Sequence, residues 1–228
     1  MARGNQQTDN YTNLYVKLVG LKKGSKECFF EFKKKEGDKY VVIENNSSFD
    51  GGVEKIGYKE IEVEGKKKPV LEVILRDDYA QERYLLNLGM TNIARQLISC
   101  LTTADKIESL SFWTKMGDNG FPVFVTKANG NQEKLQWGLD MKALSEKYVT
   151  EHKIAGDIIR DYTELDKYLL GTVLPTIVSK VVALPKASIM TAKDPIEQVA
   201  KEDVYRATFI SLNKESTSED EEDTDLPF

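Results

Sequence analysis

Over most of its first 130 residues the chain alternates apolar and polar side chains with a period of two, the spacing of half-buried β-strands. Turns rich in Gly, Asn and Asp separate the runs and allow neighbouring strands to pair as hairpins. The pattern therefore predicts a mainly β (α+β) fold. The predicted strands are Leu14–Leu21, Glu27–Lys35, Lys39–Glu44, Tyr58–Glu64, Pro69–Arg76, Gln81–Leu88, Ile107–Lys115, Phe121–Lys127 and Glu133–Gly138.

One segment in the middle of the chain, 91–103, has the period of a helix instead. Its apolar residues share one helical face: Ile93, Ala94, Leu97, Ile98 and Leu101. We also expect helices at 140–150 and 160–184. Residues 185–213 are mixed, with a short helix after Pro195 and a last strand at Tyr205–Leu212. The Asn-, Ser- and Gly-rich segment Asn45–Gly52 is predicted to be a loop.

This order of elements is compatible with an OB barrel, which has five strands and a helix between the third and the fourth. The register takes 58–64, 69–76 and 81–88 as the first three strands, 91–103 as the helix, and 107–115 with 121–127 as the last two. The chain then has extra N-terminal strands and a helical C-terminal part over about 140–213. Many α+β domains share this order, so the order alone does not select the barrel.

The composition, with 40% hydrophobic and 30% charged residues among 228, is typical of a soluble globular chain. We expect a flexible arm over 1–10, one folded domain over 11–213 and a disordered acidic tail over 214–228. The chain has a net charge of −5 from 32 Lys+Arg and 37 Asp+Glu. Without the seven carboxylates of 215–228 the balance is 32 against 30, or +2, so any nucleic-acid surface must come from local clustering of lysines.

The N-terminal residues have no secretory apolar region, and the longest apolar stretch, 168–184, is interrupted by Pro175 and Lys180. Cys28 and Cys100 lie in apolar contexts and are expected to be free thiols in a reducing compartment. We therefore expect a cytoplasmic protein with no membrane association.

Catalytic chemistry has little support in the sequence. The single histidine, His152, lies in a polar run and is expected at an exposed helix end, and two cysteines with one distant histidine do not make a zinc spacing. No phosphate loop, dinucleotide fingerprint or nucleophile elbow is present. Asp77 and Asp78 could ligate a metal but are more typical of a turn. The sequence predicts no catalytic site, no cofactor and no metal.

Nucleic-acid binding has support of another kind. A protein that binds single strands without sequence preference uses cations along the backbone and aromatic rings on which bases stack. In the second strand, alternation places Phe30 and Phe32 in the core and Phe29 on the other side, with Lys33.

Two more aromatic residues are candidate stacking platforms. Trp113 shares the polar side of its strand with Lys115, and Tyr15 lies beside Lys17. For Trp113 the alternative is a partly buried residue at the edge of the barrel. Trp137 is expected in the core.

Lysines at strand ends and hairpins are the candidate phosphate contacts, although solvated hairpins are the alternative for each of them. They form two runs of three and one pair that brackets a hairpin: Lys33, Lys34, Lys35, Lys66, Lys67, Lys68, Lys127 and Lys134.

Residues 215–228 hold seven carboxylates and no base, so this segment cannot bury enough surface to fold by itself. Its large apolar side chains are Leu226 and Phe228, and Pro227 stiffens the link between them. A partner can insert the Phe228 ring into a pocket and pair a basic residue with the terminal carboxylate. We expect an acidic arm with an apolar hook that binds other proteins.

The residues Asp225, Leu226, Pro227 and Phe228 resemble the C-terminal tip of bacterial and phage single-stranded DNA-binding proteins, which is acidic and closes on Asp-(Ile/Leu)-Pro-Phe. The resemblance covers the tail and implies an OB fold, single-stranded DNA as a partner, and replication and repair proteins recruited by the tip. The body departs from the compact bacterial form, because folded-looking sequence runs to about 213 without a long Gly/Gln/Pro-rich linker. This favours a phage-type version, and the resemblance implies a location in the cytoplasm or nucleoid of a bacterium or of a phage-infected cell. The oligomeric state is left open, with a homo-oligomer among the options.

The expected function is therefore non-enzymatic binding of single-stranded DNA during replication, recombination or repair. Two alternatives stay open. One is a strand-annealing recombination protein that forms large rings, and the other is a structural or adaptor protein whose acidic tail solubilises it or docks to a partner.

Overall fold

Eight strands form one curled sheet with the shape of a half-barrel. The structure is a computed structural model that describes residues 11–20, 26–63, 65–116, 122–131, 133–154 and 157–184. The strands of the sheet are β1 (Thr12–Val19), β2 (Phe29–Glu36), β3 (Lys39–Asn46), β4 (Ser48–Val63), β5 (Lys66–Asp77), β6 (Glu82–Gly89), β7 (Ser109–Met116) and β8 (Pro122–Ala128). A separate two-stranded sheet contains β9 (Thr150–Ile154) and β10 (Asp157–Asp161).

The strand order is β3-β2-β1-β6-β5-β4-β7-β8, and the neighbours are antiparallel except for β1, which is parallel to β6. Glycines with positive φ make two of the tight turns: Gly37 (φ 60°) joins β2 to β3, and Gly65 (φ 74°) lies between β4 and β5. The prediction of a mainly β fold is confirmed.

The described chain also contains four short helices. They are α1 (Asn92–Leu101), α2 (Met141–Tyr148), α3 (Thr163–Tyr168) and α4 (Leu174–Val178), with a π-helical stretch at Leu169–Val173 that joins α3 to α4. The helix predicted at 91–103 is confirmed as α1. The helical region predicted from 160 begins at 163, because 157–161 pairs with β9. Residues 185–228, with the predicted last strand and the tail, and the predicted arm at 1–10 lie outside the described residues.

Two local predictions are wrong. Residues 45–52 are not a loop, because β4 already begins at Ser48 and pairs with β7. A Cβ at Gly51 would lie 3.0 Å from the Arg76 carbonyl oxygen, so a side chain there would require β5 to shift by a few tenths of an ångström. Residues 133–138 do not form a strand. Their path is set by contacts with α1, described below.

The concave side of the sheet encloses a cluster of aromatic rings from five strands. Most of the ring pairs are edge-to-face, with centroids 4.8–6.2 Å apart, whereas Phe112 and Phe124 are stacked at 5.5 Å. Phe30 lies on β2 and Phe124 on β8, near opposite ends of the strand order, and their rings are 6.2 Å apart. The sheet is therefore curled far enough for its two ends to share one core: Phe30, Phe32, Phe49, Tyr84, Phe112 and Phe124.

A buried ion pair attaches the C-terminal helices to α1. The Arg95 guanidinium donates from Nε to Asp166 at 2.7 Å and from NH2 to the other carboxylate oxygen at 3.0 Å. It also donates to the Met90 carbonyl and lies 4.1 Å from the centre of the Tyr162 ring. The positive charge of Arg95 is therefore compensated by a carboxylate, a carbonyl and an aromatic ring, although the residue is buried.

Candidate nucleic-acid interface

The first group of candidates shares the outer face of β1 and β2. The strand register places Tyr15 opposite Lys33, Lys17 opposite Glu31, and Val19 opposite Phe29. Their sequence neighbours Leu14, Val16, Phe30 and Phe32 point into the core and are buried. Tyr15, Lys17, Phe29 and Lys33 therefore lie on one face, as the alternation predicts.

Within this first group, the lysines and rings have contacts of their own. The Lys33 ammonium pairs with Glu31 at 2.7 Å, so in the unbound protein the two side chains together carry no net charge. The Tyr15 ring packs edge-to-face on Tyr40 with centroids 4.8 Å apart. Burial and, to a smaller extent, the neighbouring Tyr40 raise the pKa of Tyr15. Tyr40 is half exposed and lies opposite Lys35, so it is the more open ring. The sequence reasoning missed Tyr40, although it falls in a predicted strand directly after Lys39.

The second group lies on the outer face of β7 and β8. Trp113 is partly exposed, while Phe112 and Thr114 on either side of it point inward and are buried. The Lys127 ammonium lies 4.9 Å from the centre of the Trp113 ring, a cation–π contact that covers one ring face. Lys115 is exposed two residues further along β7. The structure thus brings Lys127 into contact with Trp113, whereas the sequence had placed Lys127 only near a hairpin.

The curl of the sheet brings the start of β2 next to β7. We call this junction, where Cys28 contacts Thr114, the seam. The Thr114 hydroxyl donates to the Cys28 carbonyl at 3.0 Å, and the Thr114 amide donates to the Ser47 carbonyl at 2.8 Å. Cys28 directly precedes Phe29, and Thr114 directly follows Trp113. Two candidate stacking rings, Phe29 and Trp113, are therefore each one residue away from the same hydrogen bond.

The lysines of β5 lie elsewhere. Lys66, Lys67 and Lys68 are exposed and belong to the first part of β5, not to a turn, and Lys67 is 3.6 Å from Glu60 in an exposed ion pair. Lys68 pairs with Ile61 near the end of β4, whereas Trp113 pairs with Ser48 at its start. These two points are thirteen residues apart along β4, which corresponds to about 40 Å of extended strand. The structure does not bring these lysines to the seam.

The remaining lysine candidates flank the seam groups or stand apart. Lys34 and Lys35 are exposed at the end of β2, beyond Lys33. Lys134 is exposed in the irregular segment after β8, where it lines an open cleft with Thr103, Asn131, Glu133, Leu135 and Gln136. This places Lys134 next to the end of α1 and not with Trp113.

The prediction that Trp137 is in the core is wrong, because 60% of this residue is exposed. The adjacent Gly138 packs so closely on α1 that a Cβ there would meet the Thr102 hydroxyl at 2.2 Å. The Gly138 amide donates to the Ser99 carbonyl at 3.1 Å, and the Leu139 amide donates to the Ser99 hydroxyl at 3.1 Å. The segment is held by its backbone, and the indole is left in solvent.

Other reactive side chains have structural roles in the described chain. Asp77 accepts from the amides of Tyr79 and Ala80 at 2.9 and 3.0 Å, which confirms the turn. Burial raises the pKa of the Cys100 thiol to about 11, so this thiol stays protonated, and Cys28 is also free. His152 is exposed but lies in β9, not at a helix end. Within the described ranges no three His, Cys, Asp or Glu side chains are grouped as metal ligands would be.

Among the helices of the described chain, none combines the length and the apolar character that crossing a bilayer requires. Comparisons with protein-family models, with curated proteins and with solved structures found no match to this chain.

Proposed function

We propose that this chain is a non-enzymatic single-stranded DNA-binding protein that acts in replication, recombination or repair. The observation that carries the proposal is the seam. Phe29 and Trp113 come from strands that are far apart in the sheet order, yet each is adjacent to the hydrogen bond between Cys28 and Thr114. Partly exposed rings flanked by lysines are what sequence-tolerant binding of single strands requires.

The chemistry divides between the two kinds of side chain. Bases stack on Trp113 and Phe29. Phosphates take the ammonium groups of Lys127, which lies against the Trp113 ring, and of Lys33, which lies four residues beyond Phe29 on the same face of β2. On binding, each of these lysines exchanges an intramolecular contact for a phosphate, with Lys127 leaving the indole face and Lys33 leaving Glu31. Because the body has almost no net charge, affinity depends on these local cations and on stacking rather than on a general attraction.

We further propose that β4 to β8 with α1 are an expanded OB barrel. The order of the elements supports this, since β4, β5 and β6 form a meander that is followed by α1 and then by β7 and β8. β4 pairs with both β5 and β7, as the first strand of such a barrel pairs with its second and fourth. The fifth strand of an OB barrel would close on β6, but β1 occupies that edge in parallel. The N-terminal strands widen the barrel.

In this proposal the acidic segment 215–228 recruits replication and repair proteins. Asp225, Leu226, Pro227 and Phe228 combine charge with a compact apolar side chain, which a partner pocket lined by basic residues can recognise. The support is the sequence of the segment and its resemblance to the tip of single-stranded DNA-binding proteins.

The test is a fluorescence anisotropy titration of the full chain with labelled oligo-dT at several salt concentrations, with a duplex of the same length as the control. We expect binding that prefers the single strand and a log K that falls with log salt by roughly 0.7 per phosphate contact. Equal affinity for the duplex, or no binding to oligo-dT at low salt, would contradict the proposal. An adaptor protein would give the second result.

A further inference from the structure

The edge strand β3 leaves apolar side chains in solvent on both of its faces. All eight of its residues, Lys39–Asn46, are exposed. Four consecutive large apolar side chains are among them, with exposed fractions between 42% and 51%: Tyr40, Val41, Val42 and Ile43. Among the described strands only β2 pairs with β3, so its other edge presents free backbone groups. An exposed apolar edge of this kind is a template for pairing with another strand.

A β-bulge determines which residues of β3 share a face. The pairing with β2 shifts register between Phe32 and Lys33, so that Phe32 lies opposite Glu44 while Lys33 lies opposite Val42. Further along, Lys34 lies opposite Val41 and Glu36 opposite Lys39. Residues opposite one another point to the same side of a sheet.

Lys39, Val41 and Glu44 therefore lie on one face of β3, and Tyr40 and Val42 lie on the other. Without the bulge, Lys39 and Glu44 would be on opposite faces, because they are an odd number of residues apart.

We propose that β3 pairs antiparallel with β3 of a second copy of this chain. A two-fold axis perpendicular to the sheet requires that opposed residues point to the same side, and the centre at Val41 meets this requirement. Val41 then lies opposite Val41 of the second copy and Tyr40 opposite Val42. Because Ile43 is the extra residue of the bulge, the next residue of the ladder after Val42 is Glu44, and it lies opposite Lys39.

The two-fold axis repeats each of these pairs. The dimer gains two ion pairs between Lys39 and Glu44 at the ends of the ladder and two Tyr40–Val42 contacts, all formed by one self-complementary strand. The outer faces of the two sheets become continuous, with Tyr40 and Tyr15 of each copy close to the junction. The inference does not depend on DNA binding.

Charge exchange tests this register on the full-length protein. Sedimentation velocity over about 1–200 μM suits the weak association that so short an edge gives. The unchanged protein should show a reversible monomer–dimer equilibrium. Lys39→Glu opposes two glutamates at each end of the ladder and Glu44→Lys opposes two lysines, so each should weaken dimerisation about tenfold. The doubly exchanged protein, Lys39→Glu with Glu44→Lys, should dimerise as the unchanged protein does.

A mixture of the two single variants gives the sharpest result. The Lys39→Glu chain matches the Glu44→Lys chain at both ends, so the mixture should form mixed dimers at concentrations where each variant alone is mostly monomeric. Lys142→Glu on α2, an exposed residue with the same change in charge, is the control and should dimerise normally. Circular dichroism confirms that each variant is folded.

Two results would overturn the proposal. The first is a protein that is monomeric over the whole concentration range. The second is an oligomer whose stability does not respond to the single exchanges and whose variants do not form mixed dimers. That oligomer would use a different surface.

Discussion

Replacing Trp113 with alanine separates stacking from charge at the proposed interface. In the proposed complex Lys127 leaves the indole face that it covers in the unbound protein, and one base stacks on the ring. The loss of one stacked base corresponds to about 1–3 kcal/mol, or roughly 5- to 150-fold in affinity for oligo-dT. Because the change removes no charge, the slope of log K against log salt should stay the same.

Lys127→Met is the matched variant, because it keeps most of the aliphatic stem and removes the ammonium group. It should lower affinity chiefly at low salt and reduce the salt slope by about 0.7, the value for one phosphate contact on a single strand. Both variants are measured by anisotropy with the same labelled oligo-dT. Trp113→Phe, which retains a ring, should recover most of the affinity that alanine loses.

Thermal unfolding of each variant provides the control for folding, since Trp113 is only partly exposed. The reasoning is refuted if a folded Trp113→Ala protein binds oligo-dT with unchanged affinity, which would make Trp113 a packing residue at the sheet edge. It is also refuted if Trp113→Ala changes the salt slope while Lys127→Met does not. The cation and the ring would then have other roles.

Three further predictions concern stability and the tail. Asp166→Ala leaves the buried Arg95 charge without its partner and should lower the free energy of unfolding by about 3 kcal/mol in urea titrations; a loss below about 1 kcal/mol would contradict the buried pair. Hydrogen bonds from two lysines lower the pKa of Glu72 below its ordinary 4.5, so they stabilise the fold above that pH and the effect is lost as pH falls through the lowered value. Glu72→Gln should therefore cost about 1–2 kcal/mol at pH 7 and progressively less as the pH falls below 4.5; a cost independent of pH would contradict this. Phe228→Ala keeps all seven tail carboxylates and should abolish pull-down of replication or repair enzymes, with oligo-dT affinity within about twofold; partners retained by this variant would make the segment a simple polyanion.

The faces of the strands were predictable because strand periodicity has a simple geometric meaning. A period of two assigns each side chain to one side of a sheet. Phe29 and Trp113 could therefore be placed on the side that faces away from the core, without knowledge of the neighbouring strands. The helix α1 was predictable for the same reason, since five apolar residues at helical spacing need a single buried face.

Strand partners could not be predicted in this way. Periodicity says nothing about which strands meet, so the parallel pairing of β1 with β6 was not visible, nor was the hydrogen bond between Thr114 and Cys28, which are 86 residues apart. The cation–π contact of Lys127 depends on the β7–β8 register. Trp137 was misplaced because its exposure results from the packing of Gly138 on α1, a tertiary constraint.

Photo-crosslinking tests the central claim, that single-stranded DNA lies across the seam between β2 and β7, most directly. An oligo-dT that carries 5-iododeoxyuridine at successive positions reacts on irradiation with aromatic side chains that stack on the modified base, and mass spectrometry locates the modified residue. Stacking at the seam predicts adducts on Trp113 and Phe29, which excess unlabelled oligo-dT suppresses. Adducts confined to Trp137 or to the β4–β5 hairpin, with none at Trp113 or Phe29, would contradict the claim.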